Sequence, residues 1–240
     1  MPADIAALST IGFDADDTLW HNEQYFKLTE ARFTELLVSH TEAEDLSSRL
    51  LDAERRNLAL YGYGVKGFTL SMIETAIEVT GGKVPASTLR QILHAGRDLL
   101  AQPIEILPHA KQTLERFAGT YRLILITKGD LFDQERKIAQ SGLAELFDAV
   151  EIVSEKTAAT YETIFTRHGD GPARAMMVGN SLRSDICPAI AAGSWGVHVP
   201  HDLNWAHEHA QEPKGASRYR RVAHLGEVAG LIDELGFGVG

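Results

Sequence analysis

The sequence predicts an α/β protein: an open parallel, Rossmann-like sheet with helices on both faces, plus an inserted all-helical domain. Three observations carry this. Five short apolar runs read as buried strands, at residues 9–14, 122–127, 149–154, 174–179 and 195–200. Helical patterns at 131–141, 158–168 and 181–192 separate the last four. Between the first run and the second the chain is helical in pattern and contains no convincing strand.

The strands come first. "RLILIT" and "AMMVG" are apolar throughout, as suits parallel strands covered on both faces. Strand, helix and strand in alternation predict an open parallel sheet. A crossover needs only about a dozen residues, so the long segment after the first strand is an insertion. It reads as helices at 23–39, 42–61, 70–79 and 86–101, punctuated by Gly62, Gly64, Gly67, Gly81, Gly82 and Pro85. "QPIEILPHA", around Pro103 and Pro108, reads as the return linker. The expected domains are a core of 1–18 with 104–240 and a helical cap of 19–103.

Composition narrows the function. The 240 residues carry 23 basic and 33 acidic side chains, a formal net charge of −10. A nucleic-acid-binding surface needs clustered Lys and Arg. The short run Arg218-Tyr219-Arg220-Arg221 reads as a solvated face. No segment approaches the apolar length of a membrane span. The N-terminal residues lack a basic, then apolar, secretory pattern. The single cysteine, Cys187, excludes an internal disulfide and reads as core; cytoplasm is the default location. His201, His207, His209 and His224 read as surface histidines, not a metal site.

Ligands of open parallel sheets bind beyond the carboxyl ends of the strands. Here those ends carry Asp14-Ala15-Asp16, Thr127-Lys128, Ser154-Glu155-Lys156 and Gly179-Asn180-Ser181 with Asp185. Carboxylates, a hydroxyl, a lysine and an amide suit phosphoryl transfer through an aspartyl intermediate. The attacking carboxylate and the phosphoryl group are both anionic. A hard cation such as Mg²⁺, with a lysine beside it, would gather them.

These residues resemble the haloacid dehalogenase superfamily. Asp14-Ala15-Asp16-Asp17-Thr18-Leu19 looks like its first motif, D-x-D-x-T-L. Thr127 matches the second, Lys156 the third, and "VGNSLRSD" resembles the fourth. The resemblance implies that Asp14 is the nucleophile and Asp16 the general acid and base. It implies that Thr127 and Lys156 hold phosphoryl oxygens, and that Asp14, the Asp16 carbonyl and the fourth motif bind Mg²⁺. Asn180 stands where the family commonly has Asp, which leaves open whether Asn180 or Asp185 ligates directly. Lys128 reads either as a helix start or as a phosphate contact. Asp17 reads as a turn residue, Asp130 as a helix cap, and Thr18 as a bond to the loop backbone. Trp20 and His21 read equally as substrate contacts or hinge packing. "YGYGVKGF" reads as a turn in which Tyr63 or Lys66 could meet the leaving group.

The expected activity is Mg²⁺-dependent hydrolysis of a small phosphorylated metabolite. Dehalogenases of the superfamily lack the second acid, because a halide leaves without a proton and an alkoxide needs one. A phosphomutase or a phosphonate-cleaving relative is the rival within enzymes; the latter would want a cap lysine from among Lys27, Lys66 and Lys83. A phospho-accepting receiver domain is the rival outside enzymes, but its phosphorylated acid belongs at the third strand.

Overall fold

The computed structural model describes residues 7–40, 42–203, 205, 208 and 210–237. The chain divides into two compact units. One comprises the chain up to Glu23, Ile104–Lys128 and the chain from Arg136; the other comprises Gln24–Pro103 with Gly129–Glu135.

The first unit holds the Rossmann-like sheet that the sequence predicts. Its strands are β1 (Thr10–Phe13), β2 (Arg122–Lys128), β3 (Ala149–Val153), β4 (Ala175–Gly179), β5 (Trp195–His198) and β6 (Tyr219–Arg221). They lie in the order β3-β2-β1-β4-β5-β6, and every neighbouring pair is parallel. Alternate residues feed two cores, as strand geometry requires. Ile11, Phe13, Leu123, Leu125, Met176 and Val178 pack on one face with Leu114 and Phe117 of α5 (Ala110–Phe117) and Ile232 of α9 (Val228–Glu234). Ile124, Ile126 and Met177 pack on the other with Tyr161 and Phe165 of α7 (Ala158–His168). Gly12 lets that second face close: a Cβ there would lie 2.9 Å from Ile126 Cδ1 and 3.2 Å from Phe165 Cε1.

The second unit is helical, with α1 (Glu23–Leu37), α2 (Ala43–Tyr61), α3 (Val65–Val79) and α4 (Ala86–Leu100). Phe33, Leu46, Leu50, Phe68, Met72 and Ile92 form its core. Among the described residues no helix is long and apolar enough to cross a membrane.

The structure corrects several expectations. Arg218–Arg221 is not simply a solvated face: Tyr219–Arg221 is an edge strand. Its guanidinium groups cover Trp195, with Arg220 at 5.0 Å and Arg218 at 5.8 Å from the ring centre, and charges there protect an exposed edge. The glycine turn is shorter than expected. Gly62 and Gly64 have φ of 71° and 107°, and α3 begins directly afterwards at Val65. The return segment is anchored, since Ile106 bridges Trp20, and His21 N donates to Glu105 O at 2.9 Å. Helices α5 and α9 were not expected; each is short, and α5 follows directly on the segment read as a linker. The expected helix at 181–192 splits into a wide π turn, Leu182–Ile186, and α8 (Cys187–Ala191). Cys187 is half-buried at the start of α8.

Candidate active site

Strand β1 delivers Asp14 to the carboxyl edge of the sheet, where its N–H donates to Val178 O of β4 at 2.9 Å. The chain then turns sharply. Asp17 adopts φ 58°, and its carboxylate accepts from the amides of Asn22 (2.9 Å) and Glu23 (3.0 Å) at the start of α1. Asp17 therefore serves the turn and the helix start. Asp14 and Asp16 are left at the strand end.

Lys156 lies between Asp14 and Asp185. Its Nζ donates to Asp14 Oδ1 at 2.5 Å and to Asp185 Oδ1 at 2.7 Å. All three residues are buried. Asp185 is placed by the π turn: Ser181 N donates to its Oδ2 at 2.9 Å, and Ser181 Oγ accepts from Ser184 N at 2.9 Å. A π turn within a helical segment often marks a functional position. Gly179 makes room, since a Cβ there would lie 2.7 Å from Asp185 Cβ.

Thr18 links the first and fourth strand ends. Its Oγ1 accepts from Asn180 N at 3.1 Å and lies 2.9 Å from Asp14 Oδ2 and 3.2 Å from Asn180 Oδ1. The expected bond to its own loop is replaced by this cross-link. Asn180 O accepts from His198 Nε2 at 3.0 Å. Burial holds His198 below the usual imidazole range, so it is neutral.

Two acids face one ammonium in this row, and the electrostatics follow. Burial, and next the charge of Asp185, push Asp14 up to about 7 against the pull of Lys156. Burial opposes the charge on Lys156, but Asp14 and Asp185 together raise its pKa. Once Asp14 is ionised, the two carboxylates carry more charge than their one ammonium offsets. That donor set, all oxygen and partly ionised, fits a hard divalent cation. Asp14, the Asp16 carbonyl, Asn180 and Asp185 are the residues that could hold it.

Asp16 has different company. Its Oδ1 accepts from Trp20 Nε1 at 2.7 Å and from Lys137 Nζ at 3.0 Å, and its Oδ2 lies 3.1 Å from the same ammonium. Lys137 comes from α6 (Leu131–Ser141). Thr127, 1% exposed, lies near the end of β2 opposite Ile152. Lys128 is paired instead with Glu208 at 2.6 Å and donates to Ser184 Oγ at 2.7 Å. Asp130 caps α6, accepting from Asp133 N at 3.1 Å, and Lys66 pairs with it at 2.8 Å. That hydrogen bond from Lys66 holds the Asp130 carboxyl below its usual range.

Three residues of this region escape sequence reasoning. Lys137 is a lysine on an amphipathic helix. Glu208 accepts from Ser181 and Ser184 as well as from Lys128; burial works against its ionised form, and those donors keep its pKa low. His201 is the third, and it corrects the surface reading: its side chain is 13% exposed and its Nε2 lies 3.8 Å from Asp17 Oδ1, beside the ring of His21. His224 is half-exposed and stacks on His109. His207 and His209 lie outside the described residues.

An open parallel sheet with polar residues gathered at four strand ends suits a ligand site beyond those ends. The chain belongs to the haloacid dehalogenase-like hydrolases, whose family model matches residues 8–193. It is similar to a haloacid dehalogenase-like family hydrolase from Xanthomonas campestris. The two are 42% identical, with a TM-score of 0.85, over 98% of this chain and 94% of that one. It is 26% identical over 237 residues to the pyrimidine 5'-nucleotidase YjjG of Escherichia coli, covering 92% of this chain and 96% of YjjG. The HAD-hydrolase YfnB of Bacillus subtilis, solved bound to magnesium, shares the fold at 16% identity and a TM-score of 0.65, over 95% of this chain and 99% of YfnB.

Proposed function

We propose that this hydrolase is a Mg²⁺-dependent phosphatase that cleaves small phosphomonoesters through a phosphoryl group carried on Asp14. The observation that carries the reading is the second carboxylate, Asp16, two residues from Asp14 and held in place by Trp20 and Lys137. A carbon–halogen bond breaks without protonating its leaving group, whereas an alkoxide leaving phosphorus needs a proton.

In this reading Asp14 attacks phosphorus and the ester oxygen leaves with the proton of Asp16. Asp16 then takes a proton from water, the water oxygen attacks the phosphoryl group, and the Asp14 carboxylate is released. Lys156 holds the Asp14 carboxylate in line and meets a phosphoryl oxygen, with the hydroxyl of Thr127 as a second donor. Bound Mg²⁺ would screen the phosphoryl charge from the attacking acid. The helical unit is read as a cap that selects the leaving group, and Lys128 as a structural partner of Glu208.

Likeness to YjjG makes pyrimidine 5'-nucleotides the first substrates to try. The test is phosphate release from a panel of nucleoside monophosphates, sugar phosphates and an aryl phosphate, with Mg²⁺ or with excess chelator. Metal-dependent release from at least one monoester supports the reading. Release undiminished by chelator overturns the metal assignment, and hydrolysis of 2-haloacids without phosphatase activity overturns the whole.

A further inference from the structure

Lys137 is a buried lysine in the second turn of α6, its side chain 10% exposed. A buried ammonium is costly unless paired and hydrogen-bonded. Its Nζ reaches both oxygens of Asp16, at 3.0 and 3.1 Å, and Asn22 Oδ1 at 2.8 Å. Trp20 Nε1 binds the same carboxylate from a second direction at 2.7 Å. Two donors from different elements thus fix the rotation of one short side chain.

We propose that Lys137 is a positioning residue for Asp16, orienting its carboxylate for the step that hydrolyses the phosphoryl group on Asp14. The proposal rests on the phosphatase reading above. In that step a water O–H bond breaks and its proton passes to Asp16. The water oxygen bonds to phosphorus, the phosphorus–oxygen bond to Asp14 breaks, and its electron pair returns to the Asp14 carboxylate. Inorganic phosphate leaves. Attack of Asp14 on an aryl phosphate, whose leaving group departs without help, makes little demand on Asp16. Misplacing Asp16 therefore slows the second step and spares the first.

The experiment is rapid-quench analysis with an aryl phosphate and Mg²⁺, following the phosphorylated peptide by mass spectrometry. In Lys137→Met, phosphoenzyme formation is expected within about threefold of wild type. Dephosphorylation is expected to fall tenfold or more, on the scale of general-base losses, so that phosphoenzyme accumulates. Lys137→Arg keeps a charged donor and is expected to recover most of the second step. Combined with Asp16→Asn, Lys137→Met should add nothing further, because both act on one group. A folded Lys137→Met that dephosphorylates at the wild-type rate overturns the proposal. So does a variant that slows both steps equally, which is what a purely structural lysine would do. Should Lys137→Met fail to fold, Trp20→Phe removes the other donor and is expected to show the same partition, less strongly; equal slowing of both steps there counts equally against it. A wild-type protein that turns over monoesters without ever phosphorylating Asp14 defeats the phosphatase mechanism, and this role with it. A normal wild-type intermediate with unchanged partition in the variants defeats this role alone.

Discussion

The Lys156 ammonium donates to Asp185 Oδ1 at 2.7 Å while it also holds Asp14. Its side chain is 1% exposed, as is that of Asp185. Removing one partner from a buried pair leaves an uncompensated charge, which costs roughly 3–5 kcal/mol. Lys156→Met is therefore expected to lose stability on that scale in chelator at pH 8, measured by urea unfolding. The loss should shrink toward pH 5, as the stranded Asp14 carboxylate takes up a proton. A change below about 1 kcal/mol at pH 8 would show that the row is open to solvent.

Asp14 supplies a second test, with a definite sign. Its folded-state pKa is pushed up to about 7 from an ordinary value of 3.8, by burial first and by Asp185 next. Between those values the folded protein holds a proton that the unfolded chain has released. Stability from this group is therefore lost as pH rises from about 4 to about 7. Asp14→Asn, which leaves Lys156 and Asp185 as a neutral pair, is expected to melt several degrees above wild type at pH 8 in chelator. The gain should vanish near pH 4. Mg²⁺ should raise the wild-type melting temperature more at pH 8 than at pH 5. A melting difference independent of pH would overturn the assignment of the raised pKa to Asp14.

Gly179 gives a steric test. An added Cβ would stand 2.7 Å from Asp185 Cβ and closer still to its carboxylate. The π turn that carries Asp185 cannot yield without breaking the Ser181 bonds. Gly179→Ala is expected to cost about 1–3 kcal/mol as overpacking and to weaken Mg²⁺ binding. Isothermal titration with Mg²⁺ would check it; wild-type affinity in the alanine variant would remove Asp185 from the cation site.

The sheet and the four strand ends are legible in the sequence because local patterns encode them. An apolar run followed by a polar residue needs no knowledge of distant neighbours. Asp14, Thr127 and Lys156 sit at or just past such ends, whereas Asp185 lies beyond β4 on the π turn. What is not legible depends on distance along the chain. Lys137 meets Asp16 across 121 positions, and Glu208 meets Lys128 across 80. Neither contact leaves a periodic trace. β6 is hidden for a different reason: its two arginines mask a three-residue edge strand with one short partner. Thr18 is legible as polar but not as a cross-link, because its partner Asn180 lies on another strand end.

Asn180 and Asp185 divide the fourth strand end, and substitution should separate their roles. The Asn180 amide oxygen lies 3.2 Å from Thr18 Oγ1, which itself lies 2.9 Å from Asp14 Oδ2. Asn180→Asp places a third carboxylate beside a row that already exceeds its own positive charge. Without metal this repulsion should lower the melting temperature. With Mg²⁺ the extra charge should tighten binding, so the metal-induced rise in melting temperature becomes larger than in wild type. Asp185→Asn removes charge and is expected to do the opposite: a smaller metal-induced rise, and Mg²⁺ affinity down tenfold or more, a change of about 1.4 kcal/mol. Thermal melts across a Mg²⁺ titration, with Ca²⁺ as a control for non-specific screening, would measure both. If Asn180→Asp left the metal response unchanged while Asp185→Asn abolished it, Asp185 alone would carry the fourth strand end. Asn180 would then be a structural partner of Thr18.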